Sequence, residues 1–198
     1  MENHHRLIWV DIARGIGIIF IILTHMPINR NLTAYNCSFQ LGIFFFFSGY
    51  LFHISNKQKS DLGEQKCSDF KIFLISRIKG ILVPYLSLSL ISMIFYLFYY
   101  HVPFYSTITF KDMLSVFLFG ARNTIFYNIP LWFLPTLFLV ECLYYFLRKY
   151  CNKDIMILFI SLLLSCFSFI WLNALYQTKV FWTWPVALYY LIYFAIGN

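Results

Sequence analysis

The sequence predicts an all-α integral membrane protein, a polytopic helical bundle with about six transmembrane helices. Hydrophobic residues make up 61% of its 198 residues, and only 12% are charged, whereas soluble chains carry about 25% charged residues. In addition, six apolar stretches each approach the roughly 20 residues that a helix needs to cross the hydrocarbon core of a bilayer. Together these observations indicate a membrane protein and exclude a soluble one.

The six apolar stretches follow one another with polar connections between them. The first, residues 7–25, contains three ionisable side chains, Asp11, Arg14 and His25. The remaining five are residues 37–54, 81–100, 129–147, 155–175 and 181–198. Neither an internal repeat nor a soluble domain separates them, so we expect one membrane domain.

Two shorter helices are predicted in the connections between these stretches. Residues 109–120 place apolar side chains at helical spacing behind Thr109, a residue type that favours helix N-termini. This segment is interpreted as a helix on the outer membrane face. Residues 68–80 carry a similar apolar stripe behind Ser68 and bring Arg77 and Lys79 to the cytoplasmic end of the third span.

The basic residues predict an orientation in which the N-terminus is cytoplasmic. In that orientation ten Lys and Arg residues fall in inside segments and four in outside segments, as the positive-inside rule requires. The net charge of +7 is therefore interpreted as loop charge, with no nucleic acid as a partner.

The chain has five cysteines, an odd number, and none of them has CxxC spacing. This pattern favours cysteines that pack as small apolar side chains over a disulfide frame or a metal site.

The first span carries a polar stripe that a simple anchor would avoid. An ionised group at the bilayer centre costs about 2.5–3.5 kcal/mol on insertion scales. Arg14 and His25 share one face of the helix, with backbones about 16 Å apart along the axis, and Asp11 lies one turn before Arg14. Either the stripe faces the bundle interior, or these side chains reach the two membrane interfaces. The spacing alone leaves both interpretations open.

Four motifs in order resemble the membrane-bound acyltransferase 3 family, near its sugar and polysaccharide O-acetyltransferases. They are "RLIWVDIARGIGIIFIILTH", "FFFFSGYLF", "SRIKGILVPY" and "LWFLPTLF". The family's signature of an Arg followed, after ten residues, by a His matches Arg14 and His25. Ser48 falls in its SGYL element and Trp132 in its WFL element. The resemblance runs over residues 6–139.

The resemblance implies an acyltransferase that moves an acyl group, in our interpretation acetyl, from acyl-CoA to a hydroxyl of a sugar or polysaccharide. It implies acetyl-CoA as a donor substrate, no permanently bound cofactor and a location in the bacterial inner membrane. His25 then acts as the catalytic base, because a histidine ionises near neutral pH. Arg14, Arg77 and Lys79 contact the phosphates of coenzyme A. For Arg77 and Lys79, ordinary positive-inside charge is an equal alternative.

The sequence departs from the family pattern in two places. An Arg-x-x-Arg pair often precedes the third helix, but here Gly80 follows Arg77 at the second position. The family domain also has about ten spanning helices, where this chain has room for six. We therefore expect residues 1–198 to form a single acyltransferase 3-like domain that is incomplete at its C-terminus, and an inactive fragment is one alternative.

Four further residues are candidates for supporting roles. Asp11 pairs with Arg14, and Glu141, buried in the fourth span, pairs with a basic group of the first helix. Ser48 is either a donor near the acyl group or a small residue that lets helices pack, and Trp132 either shapes the acceptor entrance or belongs to an aromatic belt. A transporter or flippase with a polar path is the other functional alternative, although no inverted repeat is visible.

Overall fold

The computed structural model describes residues 8–25, 30–61, 70–99, 120, 128–151, 153–175 and 183–198. Within these ranges the chain forms seven α-helices, one π-helical turn and one 3-10 turn, and the described residues include no strand. This confirms the all-helical fold class. Apolar residues dominate every segment, and a helix satisfies its own backbone hydrogen bonds where water is absent.

The helices follow the apolar stretches closely. They are α1 Ile8–His25, α2 Arg30–Asp61, α3 Phe70–Arg77, α4 Val83–Tyr99, α5 Phe133–Tyr150, α6 Asp154–Leu175 and α7 Trp184–Gly197. The π-helical turn Ile78–Leu82 joins α3 to α4, and the 3-10 turn Ile129–Trp132 leads into α5. The second helix extends beyond its apolar stretch of residues 37–54 at both ends, to Arg30 and to Asp61.

Three helical segments of the described chain are long and apolar enough to cross a membrane. They are Phe70–Tyr96, Pro130–Tyr150 and Asp154–Trp171, and Trp184–Gly197 is a shorter apolar helix. Large apolar side chains are exposed along these segments, for example Phe95 at 67% and Ile170 at 70%. Such surfaces suit a lipid environment. The helical membrane bundle is thus confirmed, and the count of six spans stays a prediction.

The predicted separation between the helix at residues 68–80 and the third span is wrong. α3 continues through the turn Ile78–Leu82 directly into α4, so that one long helix replaces two elements. Pro84 explains the wide turn, because in α geometry its ring would clash with the carbonyl of Gly80. In the π-helical turn the Val83 N–H donates instead to the Ile78 carbonyl. Ser68 and the predicted helix at 109–120, apart from its final glycine, lie outside the described residues.

The last helix, α7, lies at the centre of the described bundle. It packs against α6, α2 and α5. Both small and large apolar side chains lie on its buried face, at Ala187, Leu191, Phe194 and Ala195. Small residues let neighbouring helices approach, and large ones fill the space between them.

α2 and α7 approach each other through two glycines in a reciprocal arrangement. A Cβ atom on Gly49 would lie 2.1 Å from the carbonyl oxygen of Phe194, and one on Gly197 would lie 2.0 Å from that of Phe46. Backbone therefore meets backbone at both points. Asn198 strengthens the junction, since its Nδ2 donates to the Gly49 carbonyl at 3.4 Å.

Gly49→Ala is expected to lower the thermal stability of the protein, because the added methyl group must push two helix backbones apart. Overpacking of this kind costs about 1–3 kcal/mol. Gly15→Ala is the matched control, since a Cβ there meets nothing within 4 Å, and it should be neutral or stabilising by about 0.5–1 kcal/mol. Thermal denaturation in detergent micelles measures both. Equal midpoints for the two variants would contradict the close α2–α7 contact.

Candidate active site

A buried carboxylate from α5 forms the centre of the candidate site. Glu141 lies on the core-facing stripe of α5, one turn from the buried residues Leu137 and Tyr144, and its side chain is only 5% exposed. The helix periodicity therefore carries this charge inward among apolar neighbours. A buried carboxylate needs a compensating charge, and the structure provides it from two other helices.

Arg77, the last residue of α3, makes the direct contact with Glu141. Its Nε lies 3.1 Å from Glu141 Oε2, and its side chain is 29% exposed. The guanidinium group also lies over two aromatic rings, 5.8 Å from the centroid of Phe52 and 5.5 Å from that of Phe73. Cation–π attraction and the ion pair together fix the position of the Arg77 side chain.

Arg14 of α1 completes the group. It is attracted electrostatically by Asp11 on its own helix and by Glu141, and Glu141 in turn is attracted by both Arg77 and Arg14. We call Arg14, Arg77 and Glu141 the arginine–glutamate cluster. The predicted partner of Glu141 was a basic group of the first helix. The direct ion pair is instead with α3, because Arg77 ends a helix that packs on α5.

The three residues of the cluster lie about two to three turns from helix ends that the predicted topology places on the cytoplasmic side. Arg14 is about 9 Å from the start of α1, Arg77 about 10 Å from the start of α3, and Glu141 about 14 Å from the end of α5, at a rise of 1.5 Å per residue. In the predicted orientation all three helix ends face the cytoplasm. The two guanidinium groups and the carboxylate then carry one net positive charge, which suits an anionic ligand arriving from that side.

Hydrogen-bonding capacity remains within the cluster. Arg14 Nε, Arg77 Nε and Glu141 Oε2 are buried and have no hydrogen-bond partner among the described residues. The short Arg77–Glu141 contact is therefore an ion pair without hydrogen-bond alignment. Buried polar atoms of this kind call for an explanation, and a phosphate group, which accepts forked donors from arginine, would satisfy the two arginines.

The predicted catalytic base lies at the other end of α1. His25 is the last residue of that helix, and its side chain lies outside what the structure describes. Near it, Thr24 Oγ1 lies 2.9 Å from Oε1 of Gln40 on α2, and Gln40 is 5% exposed. This polar contact joins the His25 end of α1 to α2. Gln40 was not predicted as a site residue, although it is a polar residue within the apolar stretch 37–54.

The remaining predicted site residues are distributed around the cluster. Asp11 is exposed one turn before Arg14, and Lys79 is exposed in the π-helical turn. Ser48 is 7% exposed and lies one turn before Phe52 on α2, the ring that contacts Arg77. The structure thus pairs Arg77 with Glu141, leaves Arg14 within electrostatic range of that carboxylate, and gives Lys79 an exposed position.

Trp132 lies at the start of α5, away from the cluster. It packs against a small apolar group formed by Tyr85 and Leu131, and its carbonyl accepts a hydrogen bond of 2.9 Å from Thr136. Both alternatives for this residue, acceptor entrance and aromatic belt, stay predictions.

The position of the Phe52 and Phe73 rings against the Arg77 guanidinium group was not predicted from the sequence. For Phe73, the sequence feature that could have predicted this contact is its position four residues before Arg77 on the same helix. That spacing places the two side chains on one face.

Comparisons with known proteins give one match. A family model described as an acyltransferase domain matches residues 7–198, a range that contains every candidate site residue. A comparison with curated proteins gives no match, and a comparison with solved structures gives none.

Proposed function

Because the chain belongs to the acyltransferase 3 family, we propose that it transfers an acetyl group from cytoplasmic acetyl-CoA to a hydroxyl of a sugar or polysaccharide. We propose further that it does so in the inner membrane of a bacterial cell. The family match supports acyl transfer in general and gives no support to the transporter alternative. The donor, the acceptor and the site residues are our proposals.

The observation that carries the proposal is the arginine–glutamate cluster. Coenzyme A is anionic through its phosphates, and a planar guanidinium group binds phosphate through two parallel N–H donors. Arg14 and Arg77 come from separate helices toward Glu141, close to the predicted cytoplasmic side. We propose that these two arginines hold the phosphates of the donor. Lys79, exposed nearby, adds a point charge at the entrance.

His25 performs the proton transfer in this proposal. Its imidazole takes the proton of the acceptor hydroxyl, whose oxygen attacks the thioester carbonyl. A C–O bond forms, the C–S bond breaks, and the coenzyme A thiolate leaves and takes up a proton. The backbone of His25 is about 16 Å from that of Arg14 along α1. The long pantetheine arm between phosphate and thioester can bridge this distance.

Labelled acetyl transfer tests the proposal. Inverted membrane vesicles that contain the chain and enclose a mixture of saccharide acceptors are given acetyl-CoA labelled in its acetyl group. We expect label to appear in saccharide as a base-labile ester, above the level in vesicles without the chain. Absence of transfer while the protein is inserted and folded would contradict the proposed function.

The orientation of the chain gives a separate prediction. Reporter fusions after Lys59 and Lys153 are expected to report the cytoplasm, and fusions after Lys111 and Lys179 the outside, because basic residues are concentrated on the cytoplasmic side. Reversed signals at Lys59 and Lys153 would overturn the N-terminus-inside orientation. They would also place the arginine–glutamate cluster on the wrong side for cytoplasmic acyl-CoA.

A further inference from the structure

We propose that Glu141 is the positioning residue of the donor site. Its carboxylate holds Arg14 of α1 and Arg77 of α3 in one place, and the affinity for acyl-CoA depends on it. The inference rests on the proposed function, because it assigns a role in the same site. Glu141 does not itself contact the donor; it acts through the two arginines.

Electrostatics explain why the two arginines need this residue. Two guanidinium groups attracted to one carboxylate in a low-dielectric bundle repel each other. Both side chains are long enough to extend toward the membrane interface and into water, and Arg77 is already 29% exposed. The carboxylate at 3.1 Å from Arg77 Nε, with its attraction to Arg14, opposes this movement. Without the carboxylate, Arg14 loses this inward attraction and Arg77 keeps only its contacts with the Phe52 and Phe73 rings. Both guanidinium groups should then move toward water.

The position of Glu141 suits a residue that holds the arginines without occupying their donors. It is 5% exposed, so water does not compete for its charge. Its contact with Arg77 is an ion pair without hydrogen-bond alignment, and Arg14 Nε is buried without a hydrogen-bond partner among the described residues. The attraction therefore acts by charge, and the Nε donors of both arginines make no hydrogen bond within the described residues.

The primary experiment is a steady-state comparison of the full-length parent with Glu141→Gln, which keeps the shape and removes the charge. We expect the KM for acetyl-CoA to rise by about 10-fold or more, with kcat close to that of the parent. Asp154→Asn is the matched control, because Asp154 is the exposed partner of Arg148, and exposed pairs contribute little. An unchanged KM in Glu141→Gln would overturn the inference.

A double-mutant cycle shows whether Glu141 acts through arginine. If it does, Glu141→Gln should add almost nothing to the KM of an Arg14→Ala/Arg77→Ala variant, since both groups that it positions are already gone. An additive effect of Glu141→Gln in that background would overturn the proposed route of action. A merely structural role for Glu141 would lower the amount of folded protein and leave the KM unchanged.

Chemical labelling of arginine gives a readout that does not depend on activity. Phenylglyoxal modification followed by mass spectrometry should show greater reactivity of Arg14 and Arg77 in Glu141→Gln than in the parent, with Arg148 as the internal reference. Unchanged reactivity would overturn the positioning role, even if the parent transfers acetyl groups. A parent that neither binds nor transfers acetyl-CoA would contradict the proposed function, while the labelling still decides the role of Glu141.

A second variant covers the case in which Glu141→Gln does not fold. Glu141→Asp keeps the negative charge but withdraws it by one methylene group. We expect a smaller rise in KM and a partial rise in the reactivity of Arg77. If Glu141→Asp shows the parental KM for acetyl-CoA and the parental reactivity of Arg77, the position of the carboxylate does not matter. That result would overturn the positioning role of Glu141.

Discussion

Replacement of His25 by alanine is expected to lower the rate of acetyl transfer by about 10²–10⁴-fold, the contribution that general base catalysis makes. Binding of acetyl-CoA should change little, because the phosphates are held about 16 Å away along α1. The measurement compares labelled transfer with direct binding for the same preparation of inserted protein. A loss of transfer with retained binding is the signature of a missing base.

Two further variants make this result specific. His25→Gln keeps a polar side chain of similar size but cannot accept the proton at neutral pH, so it should be as impaired as His25→Ala. His53→Ala is the matched control, because His53 is an exposed histidine on α2, and its transfer rate should equal that of the parent. Near-parental transfer in either His25 variant would show that His25 is an interfacial residue without a catalytic role.

The second large effect is expected at the donor end. Arg14→Ala should weaken acetyl-CoA binding by about 10–100-fold, since a charge-assisted contact contributes about 1.5–3 kcal/mol. Arg14→Lys should weaken it less, because lysine keeps the charge and loses the forked pair of donors. Isothermal titration of the purified protein with coenzyme A measures both affinities.

Arg148→Ala serves as the control for the effect of removing a basic residue from this chain. Arg148 forms an exposed ion pair with Asp154 between α5 and α6, so its loss should leave coenzyme A affinity unchanged. Parental affinity in both Arg14 variants, with the protein correctly inserted, would mean that Arg14 only reaches toward the interface.

The helical fold could be predicted from the sequence because it follows from local features. Apolar stretches of membrane-spanning length gave the positions of α1, α5 and α6 within a few residues. The continuity of α3 with α4 was missed, because residues 68–80 and 81–100 were predicted as two separate helical elements. Only the backbone shows that the wide turn accommodates the proline and lets the helix continue.

The candidate site was predictable only in part, for a different physical reason. The polar stripe of α1 follows from helix periodicity, and the Arg–His spacing carries the family signature. The pairing of Arg77 with Glu141 depends on how α3 packs against α5, and no spacing rule connects residues so far apart in sequence. The position of Phe52 under the same guanidinium group depends on the approach of a third helix, α2.

The most direct test of the account compares two donors that share the thioester arm and differ in the nucleotide part that carries the phosphates. S-acetylpantetheine lacks the adenosine and all the phosphate groups of acetyl-CoA. We predict that the parent binds acetyl-CoA at least about 100-fold more tightly than it binds S-acetylpantetheine. An Arg14→Ala/Arg77→Ala double variant should lose most of this preference. If the parent binds the two thioesters equally, or if the double variant keeps the full preference, the arginine–glutamate cluster is not the phosphate anchor of an acyl-CoA site.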